Sequence, residues 1–134
     1  EYTLPEVSQT LILTRMAGRT PVPEAESIDR LAQHGSSMAI FLSSALLEQL
    51  QEKLLAGAYT SATPAAIVYK ASWPEEKVYR CNLGNLAACG KENGIEKTAL
   101  VLVGDFLGND YARSKLYDPT FTTEFRKGNG VNAD

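Results

Sequence analysis

One histidine, two cysteines and one tryptophan are spread over 134 residues, without any long apolar or basic run. Each shortage excludes something. With 13 basic against 16 acidic residues the formal net charge is -3, and no stretch of the chain could follow a phosphate backbone, so nucleic acid is not an expected partner. The most apolar stretches, such as Thr98 to Val103, fall far short of the ~20 residues that span a bilayer, and no signal peptide opens the chain. The expectation is a cytoplasmic protein without membrane contact. Cys81 and Cys89 lack the paired spacing of a zinc site or a disulfide framework, and read as small apolar residues in a reducing compartment. His34 falls at an expected helix end, where a surface role compatible with the helix dipole outweighs a catalytic one. A Gly-rich phosphate loop, an HExxH pair, a nucleophile elbow and a metal-ligand cluster are all missing. No metal is expected.

What remains is ordinary globular material. Apolar residues make up 44% of the chain and charged residues 22%, both near the averages for folded domains. A single domain of this length can bury roughly 68% of the surface its unfolded chain exposes, which is enough for a proper core.

Strands and helices alternate along the chain. Ser8 to Thr14 (SQTLILT) is aliphatic and β-branched and stops at a loop with Gly18, Pro21 and Pro23, so it reads as a strand. Acidic residues open the segment from Glu24 to His34 and Gly35 closes it, which predicts a short helix. Met38 to Leu42 predicts a strand. After Ser43 the apolar positions change period to Leu46, Leu47, Leu50, Leu54 and Leu55, as in an amphipathic helix ending near Gly57. Pro64 to Lys70 and Lys77 to Asn82 read as a hairpin, Asn82 caps a helix running to about Asn93, and Thr98 to Val103 is the last strand. From Gly104 the chain is loop-rich.

The fold class that follows is α/β, a mixed five-stranded sheet flanked by helices. Helical crossovers make strands 8–14, 38–42 and 64–70 run parallel, while the hairpin sends strands 77–82 and 98–103 the opposite way. Arg15 to Glu24, Leu42 to Ser44, Ala71 to Trp73 and Thr98 then share one edge of the sheet. Open α/β sheets tend to bind ligands at such an edge. The loop T-R-M-A-G-R-T-P-V-P-E, Thr14 to Glu24, carries two arginines whose planar donor forks suit carboxylates, although a merely solvated loop fits its composition equally well.

Five segments carry a resemblance. S-Q-T-L-I-L-T-R-M-A-G-R-T-P-V-P-E from Ser8, M-A-I-F-L-S from Met38, P-A-A-I-V-Y-K-A-S-W-P-E-E-K from Pro64, T-A-L-V-L-V-G from Thr98 and S-K-L-Y-D-P-T-F from Ser114 stand in family order. Together they resemble the second, carboxy-terminal domain of precorrin-4 C-11 methyltransferases, a subgroup of the tetrapyrrole methylases. The likeness covers residues 1–126, and the tail 127–134 matches no family segment.

The resemblance implies methyl transfer from S-adenosylmethionine, leaving S-adenosylhomocysteine, to precorrin-4 or cobalt-precorrin-4. It implies a cofactor held by Phe41, Leu42, Ala71, Thr98, Ala99 and Leu100; Arg15 and Arg19 are the candidates for the substrate's acetate and propionate groups, and Trp73 either pins its loop to the domain or faces the tetrapyrrole plane. Leu42 stands where many relatives have methionine; by composition Leu42 and Leu100 are equally ordinary core residues and Ala71 an ordinary strand end. The catalytic residue stays unassigned. Because the family's glycine-rich amino-terminal domain is not among these residues, the expectation is a homodimeric parent whose second domain is inactive alone. Another tetrapyrrole methylase, such as a uroporphyrinogen-III methyltransferase, and a non-catalytic small-molecule-binding module are the alternatives.

Overall fold

A computed structural model describes residues 6–70, 72–95 and 97–108. Its five strands are β1 (Leu11–Arg15), β2 (Ser37–Ser43), β3 (Pro64–Tyr69), β4 (Lys77–Asn82) and β5 (Thr98–Val103), arranged in the order β1-β2-β5-β3-β4. β1 and β2 pair in parallel, whereas β2 with β5, β5 with β3, and β3 with β4 pair antiparallel. Hence β1, β2 and β3 point one way and β4 and β5 the other, as the connectivity predicts. β5 sits in the middle because it is apolar on both faces, TALVLV, and so suits a strand flanked on either side. β4 is an edge strand with Lys77 and Arg80 exposed, charges that discourage pairing with another chain.

The helices are shorter than the periodicity suggests. Between Glu24 and His34 the chain forms a 3-10 turn (Glu24–Glu26), then α1 (Ile28–Leu31), then a second 3-10 turn (Ala32–His34). Ser27 divides them, since it adopts extended backbone and its hydroxyl accepts a hydrogen bond from the Arg30 N–H at 3.4 Å, an N-cap inside the predicted helix. Gly35, at φ 65°, ends the segment in the left-handed conformation. α2 (Leu47–Leu55) follows a 3-10 turn at Ser44–Leu46, and α3 (Leu86–Glu92) follows one at Leu83–Asn85. Asn82 is the residue before that last turn, and its N–H donates to Asn85 Oδ1 at 3.1 Å.

Strand ends also moved. β1 begins at Leu11 rather than Ser8, and ahead of it the Ser37 N–H is shared between Thr10 O and the Ser8 hydroxyl, each at 3.1 Å. β3 stops at Tyr69, since Lys70 turns to φ 53°. His34 lies exposed at the end of its 3-10 turn.

The three α-helices among the described residues lie on one side of the sheet. Ile28 and Ala32, Leu47, Leu50 and Leu54, and Leu83 and Leu86 bury against Met38, Ile40, Ala65, Ile67, Val101 and Val103. Gln51 links α2 to the start of α3, its side chain donating to Gly84 O at 2.9 Å and accepting from Ala87 N at 2.8 Å. Cys81 and Cys89 meet between β4 and α3, and burial, together with the Cys89 thiol beside it, pushes the Cys81 thiol up to about 12. Their sequence spacing does not betray this contact. A second, smaller cluster occupies the opposite face, where Phe106 and Leu107 of a 3-10 turn (Asp105–Leu107) pack on Ala66, with Val7 and Leu102 beside them.

Candidate functional site

The strand directions bring the ends of β1, β2 and β3 together with the starts of β4 and β5. Arg15 is the register partner of Phe41, Phe41 of Leu100, Leu100 of Val68, and Val68 of Val78. One step nearer the edge, Leu42 faces Ala99, and Ala99 faces Tyr69. Ser43 and Thr98 pair at the rim, both exposed. Phe41, Leu42, Thr98, Ala99 and Leu100 are therefore one contiguous patch, while Ala71 lies outside the described residues.

The patch divides by face, because successive strand residues point to opposite sides. Leu42 and Ala99 turn into the helix-side core, only 4% and 3% exposed. Phe41, 46% exposed, and the half-buried Leu100 turn to the opposite face. Any ligand at this edge reaches Leu42 and Ala99 through their backbone rather than their side chains, so leucine in place of methionine leaves such a contact intact.

The loop after β1 is held by the arginine that starts it. Arg15 donates from Nη1 to Thr20 O at 3.3 Å and from Nη2 to Pro21 O at 2.9 Å, so its planar fork is engaged by the loop's own carbonyls. Met16 anchors the same loop, 6% exposed and bonded through its N–H to Phe41 O at 3.1 Å. Arg19 lies exposed at the loop's outer part and takes part in neither of the two ion pairs found among the described residues, Arg30 with Glu24 and Lys53 with Asp29. Beneath the loop is a hollow of about 270 Å³ lined by Arg15, Met16, Val22, Ile28, Gln49 and Lys53. A larger hollow of about 330 Å³, bordered by Pro64, Arg80, Asn82 and Leu107, sits at the opposite end of the sheet, away from the shared edge.

The β3–β4 turn is strained on both sides of residue 71. Lys70 at φ 53° and Ser72 at φ 71° occupy the left-handed region that non-glycine residues seldom adopt, and such conformations cluster where ligands are held. Backbone bonds from Trp73 N to Lys70 O and from Glu76 N to Trp73 O lock the turn, and Glu76 Oε1 accepts from Ser72 N at 2.6 Å. Trp73 is 62% exposed, and the Lys70 ammonium stands 5.9 Å from its ring centroid and 5.7 Å from that of Tyr69. Lys70 thus joins the candidate residues without having been singled out in the sequence. Its signal was the three-residue step to Trp73 across a tight turn.

The family model for tetrapyrrole (corrin/porphyrin) methylases matches residues 1–87, well over half of the 134. The chain belongs to that family. As a tetrapyrrole methylase it is 51% identical to a cobalt-precorrin-4 C(11)-methyltransferase of Methanocaldococcus jannaschii, over 95% of this chain and 49% of the relative. Identity to the protein of the same name from Priestia megaterium is 45%, over 96% of this chain and 51% of the relative. The X-ray structure of a cobalamin biosynthetic enzyme, cobalt precorrin-4 methyltransferase, matches with a TM-score of 0.73 and 43% identity, covering 78% of this chain and 44% of that one. The mixed sheet with its helices is thus the fold of tetrapyrrole methyltransferases.

The chain spans about half the length of the curated relatives it matches. The narrower placement, as the carboxy-terminal domain of its parent, finds no support in these overlaps and is dropped. Among the described residues no helix is long and apolar enough to cross a membrane, and no group of three or more His, Cys, Asp or Glu could hold a metal ion.

Proposed function

We propose that this chain is one half of an S-adenosylmethionine-dependent C-methyltransferase acting at C-11 of precorrin-4 or cobalt-precorrin-4 in cobalamin biosynthesis. The observation that carries the reading is the 51% identity to a C(11)-methyltransferase over 95% of the chain. An overlap of that extent spans the loops at the sheet edge as well as the core, and loops are where specificity resides.

The edge fits a nucleoside approached by backbone. Phe41 and Leu42 end one strand, Thr98, Ala99 and Leu100 start its neighbour, and the turn through Ala71 completes the rim in this reading. The bound cofactor supplies a methyl group already activated by its sulfonium, so no acid-base pair need be found in these residues. Their part is binding and orientation, which can lower a barrier by ~7–11 kcal/mol when the reacting atoms are held in line. Arg19, an exposed cation of the loop at the edge, suits the acetate and propionate groups of the tetrapyrrole, and Trp73 offers a flat apolar surface to its plane. Arg15 serves the same anions indirectly, by shaping the loop that presents Arg19. A cytoplasmic, homodimeric parent belongs to the same proposal.

Because half of the relatives' length is not in this chain, half of the enclosing surface is absent, and cofactor affinity of the chain alone falls by orders of magnitude. The test pairs calorimetry with an assay. S-adenosylhomocysteine should bind tightly to a full-length parent and weakly to this chain, and the parent should methylate cobalt-precorrin-4 at C-11. Methylation of uroporphyrinogen III instead would move the chain to another branch of the family. Cofactor binding without transfer to any tetrapyrrole would leave only a binding module.

A further inference from the structure

The face opposite the helices is covered unevenly, with Ser37, Ala39 and Ala66 buried but large apolar side chains at its margins exposed. Of the five large apolar side chains that stand exposed among the described residues, Leu11, Leu13, Phe41 and Val78 all project from the face opposite the helices, and Leu13 is 66% exposed. Register places Leu13, Phe41 and Val78 in two adjoining rows, with Leu11 one row further along β1. One runs through Phe41, Leu100, Val68 and Val78, the other through Leu13, Ala39, Leu102 and Ala66. Soluble monomers seldom leave several large apolar side chains exposed on one face of a sheet, and such a cluster implies an occupant.

The chain itself begins to cover it. After β5 the backbone turns at Gly104, φ 145°, and lays Phe106 and Leu107 on Ala66 and beside Leu102, in the second of the two rows. Arg80 pins that arrival, its Nη1 donating to Leu107 O at 3.2 Å. At Gly108 the backbone therefore already lies over this face. The rows are two residues apart along each strand, or roughly 7 Å, and three further residues can reach about 10 Å. Beyond that point the sequence supplies Tyr111, Leu116, Tyr117, Phe121 and Phe125, apolar or aromatic groups for which the function proposed above has no use.

We propose that the segment from Tyr111 to Phe125 of the same chain docks on this face, over Leu13, Phe41, Val68 and Val78. A tether of a few residues gives an effective concentration of about a millimolar, far above that of a second copy at ordinary protein concentrations. The segment therefore outcompetes self-association. The cofactor reading uses backbone at the strand ends, whereas this surface is made of side chains that project at right angles to the sheet, so the two proposals stand or fall separately.

The test places a photoreactive p-benzoylphenylalanine at Val78, and in a second variant at Leu13, both exposed positions that tolerate a large side chain. Irradiation of the full chain should give monomer-sized products, with the label joined to peptides between residues 109 and 126. Dimer-sized products would assign the face to a second copy and overturn the proposal. So would the absence of any crosslink to that segment in both variants. Truncation after Gly108 provides a second readout. If the truncated chain keeps its far-ultraviolet dichroism, its binding of anilinonaphthalene sulfonate should rise several-fold over the full chain, and equal dye binding would likewise refute the docking.

Discussion

Leu42 on β2 and Ala99 on β5 are register partners, and both side chains are buried in the helix-side core although they stand one residue from the rim of the proposed cofactor site. Packing and ligand contact are thereby separated, side chain for one and backbone for the other. Leu42→Ala should cost ~2–5 kcal/mol of stability, within the usual range for a buried leucine. Leu42→Met, nearly isosteric, should shift stability by less than about 1.5 kcal/mol and leave S-adenosylhomocysteine affinity of the full-length parent within twofold. A large affinity change in the methionine variant would mean that the side chain touches the cofactor after all.

Arg15 and Arg19 should part company under mutation. Arg15 spends both terminal nitrogens on Thr20 O and Pro21 O, so Arg15→Ala removes internal loop bonds worth about 1 kcal/mol, and Arg15→Lys cannot restore them because an ammonium lacks the fork. Both variants should melt earlier than the parent. Arg19→Ala should leave the melting temperature alone and raise the KM for the tetrapyrrole about tenfold or more, the equivalent of one charge-assisted hydrogen bond. If Arg19→Ala alters neither KM nor melting, that arginine is only a surface charge.

Two glycines offer a comparison that depends on what each would meet. A Cβ on Gly57 would lie 2.6 Å from Ala32 Cβ and 2.7 Å from Ala32 O, and backbone cannot step aside cheaply. Gly57→Ala should therefore destabilise by ~1–3 kcal/mol, as overpacking does. On Gly90, inside α3, the new methyl would meet the Cδ1 end of Leu47, which can change rotamer, and alanine brings a helix-propensity gain of about 1 kcal/mol. Urea midpoints should fall clearly for Gly57→Ala and only slightly for Gly90→Ala. The reverse order would show that α2 and α3 pack less adaptably than the region around Ala32.

The directions of all five strands could be read from the chain, since each depends only on whether a helix or a tight turn separates consecutive apolar runs. The position of β5 between β2 and β3 was less accessible, for it is decided by which strand can be apolar on both faces. Helix lengths were overestimated where a polar cap, Ser27, interrupts the period from within. At the edge, the grouping of Phe41, Leu42, Thr98, Ala99 and Leu100 followed from strand direction alone. Whether a side chain points into the core or away needs register, and so the burial of Leu42 and Ala99 against the exposure of Phe41 had to come from the structure. Arg15 shows the same limit, because two carbonyls five and six residues away claim a guanidinium that composition would offer to a ligand.

Tyr59 ties stability to high pH. Its hydroxyl donates to Ser36 O at 2.5 Å, and burial, reinforced by the negative charge of Asp105, pushes its ionisation from the ordinary 10.0 up to about 12. A folded-state value above the unfolded one means that the folded chain keeps its proton more tightly. The stabilisation is then complete below pH 10 and is lost as pH climbs from 10 toward 12, where the unfolded chain ionises first. Tyr59→Phe removes both the hydrogen bond and the titration. At pH 8 that variant should be less stable by about 1 kcal/mol, the usual net value of one neutral hydrogen bond. Between about pH 10 and 12 the parent alone should pay for ionising this phenol, so the gap narrows as pH rises. Other tyrosines and the thiols are common to both proteins and cancel in the difference. Urea midpoints of the pair measured at intervals from pH 8 to 11.5 provide the check, and a gap that stays constant across that range would show that Tyr59 titrates alike in the folded and unfolded chains.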